Sequence, residues 1–144
     1  MNRKLALGLV GVVALSLAAF VVADDKDKKE EGGRGVDVEA IMKKNHGKKG
    51  GLIPQIADLV KNDKIGDALP QAKQAATLAA GLVKYQPKKG DKKTWADLAK
   101  EYADSTKDLA TSVEKKDVDG AKSALSAING SCKACHEAFT NRKK

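Results

Sequence analysis

The chain predicts an all-α fold, an up-and-down antiparallel four-helix bundle whose last helix carries a covalently bound c-type haem. Three observations lead there. From residue 36 onward apolar side chains recur at steps of three and four, the period of a helix face, and no stretch alternates as a strand does. Short Gly-, Pro- and Lys-rich links separate the periodic segments, and short links favour antiparallel neighbours. Finally, the run Cys132-Lys133-Ala134-Cys135-His136 near the C-terminus is the attachment signature of a c-type haem.

The elements follow in order along the chain. Met1-Asn2-Arg3-Lys4 and the apolar residues 5–23 read as a signal peptide, with Val21-Val22-Ala23 supplying small residues for cleavage after Ala23. An uncleaved anchor is the alternative, since the apolar run is long enough to span a bilayer. Either way the body of the protein is expected in the periplasm or otherwise outside the cytoplasm, where exported apocytochromes receive haem. Residues 24–35 are charged and glycine-containing, without Val, Ile, Leu, Met or an aromatic, and read as a solvated linker. The haem domain is expected over residues 36–144.

Within that domain Val38, Ile41 and Met42 share a helical face, the Gly-Lys-Lys-Gly-Gly run at 47–51 interrupts it, and Leu52, Ile53, Ile56, Leu59 and Val60 resume it. The result is one broken helix or two short ones. Ile65, Leu69, Ala72, Ala76, Ala79 and Val83 make the next stripe, with Pro70 tolerable if the helix starts near Asp67. Trp95, Leu98, Tyr102, Ser105, Leu109 and Val113 make a third, opened by an approximate capping box of Thr94 and Asp97. After a tight corner at 116–119, Ala121, Leu125, Ile128, Cys132, Cys135 and Phe139 make the last. Alanine is abundant on these stripes and aromatics are 3% of the chain. Side chains alone therefore give a thin core, which a large flat apolar cofactor would complete.

The motif explains why the cofactor attaches where it does. Residues at i, i+3 and i+4 share one helix face, so the Cys132 and Cys135 thiols and the His136 imidazole point the same way. The sulfurs can form thioethers to the haem vinyl groups while His136 reaches the iron. They are the only cysteines in the chain. A disulfide between them would close a very small loop and stabilise little. A thioredoxin-like pair needs a βαβ context that is absent. A zinc site from Cys132, Cys135, His136 and His46 lacks the usual spacing, and adjacent Cys135 and His136 suit tetrahedral zinc poorly. One haem c is the expected cofactor.

An exported helical chain with this motif on its last helix, here Ala127-Ile128-Asn129-Gly130-Ser131-Cys132-Lys133-Ala134-Cys135-His136-Glu137-Ala138-Phe139, resembles the class II cytochromes c, the family of the cytochromes c′ and their six-coordinate cytochrome c556 relatives. The resemblance is strongest over residues 117–144. It implies that Cys132 and Cys135 hold the haem, that His136 is the proximal ligand, and that Met42 stands where six-coordinate members supply a distal methionine. A thioether ligand raises the reduction potential and closes the site to outside ligands, which suits electron transfer. Met42 could equally be a gap-filling core residue. His46, one turn further on, is the alternative distal ligand and would lower the potential; its plainest role is that of a solvent-exposed residue before the glycine-rich break. The first helix departs from the family at Val38, where many members carry an arginine near a haem propionate, and residues 47–51 look inserted. Arg34 or a nearby lysine is the substitute for that contact.

Two functions follow. The first is an exported monohaem electron carrier with His136 and Met42 on iron; the second is a five-coordinate, cytochrome c′-like protein that binds nitric oxide or carbon monoxide. Catalysis is not expected, because no acid/base constellation accompanies His46. The net charge is +8, and Lys43, Lys44, Lys48, Lys49, Lys133, Arg142, Lys143 and Lys144 flank the segments expected near the haem. Such a surround steers acidic redox partners. Nucleic acid is not an expected partner, since no reading motif is present; membrane contact is expected only if the signal segment is retained, and a homodimer is compatible with this fold class.

Overall fold

A computed structural model describes residues 36–140, and every regular element among them is helical. These are α1 (Val38–His46), α2 (Leu52–Lys61), a 3-10 turn (Ile65–Ala68), α3 (Leu69–Val83), α4 (Lys92–Glu114) and α5 (Val118–Phe139). The expected signal segment 1–23, the linker 24–35 with Arg34, and Arg142, Lys143 and Lys144 lie outside the described residues. Among those described, no helix is long and apolar enough to cross a membrane.

Among the described residues five α-helices stand where four are expected, because the first is two short ones. The 47–51 run holds Gly50 at φ +83, a backbone conformation that glycine adopts without steric cost. The Gln55 side chain donates to the Gly50 carbonyl at 2.8 Å, which fixes the start of α2 against the break. Three other starts use aspartate. Asp37, Asp91 and Asp117 each accept a hydrogen bond from the backbone N–H three residues on, at 2.9, 2.6 and 2.9 Å. A carboxylate there satisfies an orphan donor and sits at the positive end of the helix dipole. The expected capping box of Thr94 and Asp97 is therefore corrected: Asp91 takes the Thr94 N–H and the Thr94 hydroxyl, while Asp97 pairs with Lys93 one turn back.

Contacts at the helix ends set the directions. Trp95 at the start of α4 donates from Nε1 to the Leu82 carbonyl at the end of α3, and Lys73 near the start of α3 meets Glu114 at the end of α4, so the two run antiparallel. Trp95 also meets Phe139 edge-to-face at 5.1 Å, while Gly120 packs against the Ser112 hydroxyl, so α4 and α5 run antiparallel as well. Ile41 abuts Gly81 and Asn45 reaches the Ala75 carbonyl, which sets α1 antiparallel to α3.

Ile56, Leu109, Ile128 and Val113 are the largest fully buried apolar side chains, and alanine is the commonest buried apolar residue. On α3 the buried stripe is Ala72, Ala75, Ala79 and Leu82, which keeps Ala72 and Ala79 of the expected one but has Ala75 and Leu82 where Ala76 and Val83 are expected; Val83 is 44% exposed. Small residues on α3 let α4 approach closely, but they contribute little transfer free energy each, since stabilisation follows apolar area removed from water. Beside this core Gly90 has φ +91, and a Cβ built there would lie 2.7 Å from Phe139 Cε1. Gly90→Ala is expected to lower stability by about 1–3 kcal/mol through backbone strain, read as a lower urea midpoint; an unchanged midpoint would contradict this packing.

Candidate functional site

α5 is continuous through the cysteine motif, so its helical geometry sets Cys132, Cys135 and His136 along one edge of a cavity of about 710 Å³. The other walls come from α1, which contributes Met42 and His46, and from α4 and the end of α3, which contribute Trp95, Leu98, Tyr102 and Leu82. Cys132, Cys135, His136, Met42 and His46 thus all line one cavity. The volume falls within the roughly 300–1,000 Å³ of cofactor pockets, which are mostly apolar with a few placed polar groups.

Both cysteines are half-buried free thiols. Burial pushes both thiols above the usual range, and the neighbouring Cys132 raises Cys135 further. The Cys132 thiol lies 3.3 Å from the Ile128 carbonyl. Among the described residues no group of three or more His, Cys, Asp or Glu side chains is arranged to hold a metal ion by itself, so the zinc arrangement of Cys132, Cys135, His136 and His46 is not formed. The donor set instead suits a flat cofactor with its own metal: two thiols and one imidazole at one edge, a thioether and a second imidazole on α1, and apolar walls between. Trp95 anchors those walls, T-stacked at 5.1 Å on both Tyr85 and Phe139.

The reading of His46 as solvent-exposed is corrected. α1 continues through His46, which turns the side chain onto the Met42 face and into the cavity. There it is half-buried, with Nε2 2.8 Å from the Tyr102 hydroxyl. Burial lowers its pKa, and the neighbouring His136 lowers it further. Tyr102 is 6% exposed, and burial pushes its hydroxyl up to about 12.

Sequence reasoning placed Tyr102 on the α4 stripe without assigning it to the site, and it missed Asn45, which is fully buried. The available signal was polarity: a phenolic hydroxyl on an otherwise apolar face, and an amide beside a histidine, both need partners when buried. Lys88 and Lys89 at the cavity mouth also went unassigned, because a charged loop reads as solvated. Lys43, Lys44, Lys48, Lys49 and Lys133 are all exposed.

The cytochrome c′ family model matches residues 90–140. That span holds α4, α5 and the complete cysteine motif. No curated protein and no solved structure matches the chain.

Proposed function

We propose, from the match of residues 90–140 to the cytochrome c′ family model, that this protein is an exported monohaem c-type cytochrome of four-helix-bundle type that carries single electrons. In this reading α1 and α2 together are the first helix of the bundle. The observation that carries the proposal is the convergence of Cys132, Cys135, His136 and Met42 on one largely apolar cavity.

Bound haem supplies a one-electron iron centre. The chain's own residues do the rest. Cys132 and Cys135 hold the cofactor through their sulfurs, so it cannot dissociate between encounters. His136 and Met42 would ligate its iron, a pairing that would raise the potential and close the iron to outside ligands. The aromatic wall around Trp95 and the aliphatic side chains of Leu82 and Leu98 exclude water. His136 is exposed at the cavity edge, which keeps the site near the surface as outer electron transfer requires. Lys88 and Lys89 at the mouth, with Lys43 and Lys44 on α1, favour redox partners that are acidic at the contact surface. The basic, apolar and small-residue order of residues 1–23 supports a periplasmic or otherwise extracytoplasmic location.

An absorption spectrum of the reduced protein with and without carbon monoxide tests the proposal. A low-spin spectrum that carbon monoxide leaves unchanged is expected, and Met42→Ala is expected to open the iron, lower the potential and permit carbon monoxide binding. A high-spin wild type that binds the gas readily would replace the carrier with the five-coordinate, gas-binding alternative.

A further inference from the structure

α1 sets two competing donors on the cavity one helical turn apart: the Met42 thioether and the His46 imidazole. Only the imidazole is tied down. Asn45 Nδ2 lies 3.4 Å from the Ala75 carbonyl oxygen and 2.9 Å from the Tyr102 hydroxyl. A carbonyl oxygen only accepts hydrogen bonds, so the amide must turn its nitrogen, not its oxygen, towards Ala75. The same nitrogen then donates to the Tyr102 oxygen. His46 Nε2 lies 2.8 Å from the Tyr102 oxygen, and with the imidazole proton on Nδ1 the single proton of Tyr102 points at Nε2. The chain of donation thus runs from Asn45 through Tyr102 to His46, and it ends on the lone pair that a metal would use. Asn45 Oδ1 is buried without a partner as a consequence, a cost that the orientation bears because the other would set Oδ1 against the Ala75 carbonyl oxygen, acceptor against acceptor.

Burial keeps the arrangement in place. Asn45 is 0% and Tyr102 6% exposed, so water does not compete for these bonds. His46 lines the same cavity as Met42, Cys135 and His136, so it stands where it can compete for iron.

We propose that Tyr102 selects the distal ligand: by donating to His46 Nε2 it withholds the imidazole lone pair from iron and leaves the distal position to Met42. This deepens the haem-carrier reading and rests on it. Tyr102 is a positioning residue, acting through His46. Imidazole is a ligand that suits iron well, so a freed His46 displaces the thioether.

The test compares wild type, Tyr102→Phe, His46→Ala and the double variant, each purified as holoprotein with covalent haem content measured first by mass. The readouts are the shifted proton resonances of an iron-bound methionine in the reduced protein and the reduction potential. Wild type and His46→Ala are expected to show the methionine signature. Tyr102→Phe is expected to lose it, gain a bis-imidazole low-spin spectrum and fall in potential, and the double variant to regain it. That rescue separates ligand selection from a packing defect, which removing His46 would not repair. Tyr102→Leu also lacks the hydroxyl and serves if the phenylalanine variant does not accumulate. Retention of the methionine signature in a hydroxyl-free variant would overturn the proposal. Absence of the signature from wild type would overturn the Met42 assignment, and this inference with it, before any substitution is made.

Discussion

Replacing both Cys132 and Cys135 by alanine is expected to leave a chain that carries no haem after denaturation and is far less stable than the parent. The two thiols are the only cysteines, so no other thiol can attach the cofactor covalently. Their loss also removes what fills the cavity of about 710 Å³ between α1, α4 and α5. The consequence is large because of what surrounds it. An apolar cavity left empty costs about 24 cal/mol for each Å³ that the structure cannot collapse, and its buried lining includes Ala99, too short to reach across. Thermal unfolding followed by circular dichroism checks this. The haem-free variant is expected to melt broadly and low, and a melt as cooperative and as high as that of the holoprotein would contradict it.

Trp95→Ala is expected to cost about 3–5 kcal/mol, the range for truncating a buried aromatic. Trp95 is 6% exposed, T-stacks on Tyr85 and on Phe139, and closes the start of α4 onto the end of α3 through Leu82. Its removal deletes the hub of the aromatic wall and leaves the Leu82 carbonyl without that donor. Chemical denaturation of matched holoproteins measures the loss. A change under about 1 kcal/mol, the size of an ordinary surface substitution, would show that the wall does not support the fold.

How far the sequence spoke depended on whether a feature was periodic or tertiary. The helices of the second half were legible because Leu109, Val113, Ala121 and Ile128 repeat at helical steps and are buried where that repeat puts them. The start of α4 was not, because the sequence pattern put the cap at Thr94 with Asp97 and only the structure shows that the Asp91 carboxylate takes the Thr94 N–H. The stripe of α3 was displaced because its alanines give little contrast between faces: Ala75 and Ala76 are alike in sequence, and close packing against α4 decides which is buried. Within the site the motif at 132–136 was legible from spacing alone. His46 was misplaced, because its burial depends on Tyr102, which is distant in sequence and meets it only across α1 and α4.

The mass of the purified chain after expression with a working haem-attachment system, recorded under denaturing conditions, tests the central claim most directly. The account predicts polypeptide plus one haem, with the added mass on the peptide that contains Cys132 and Cys135. A chain at its apo mass would contradict it.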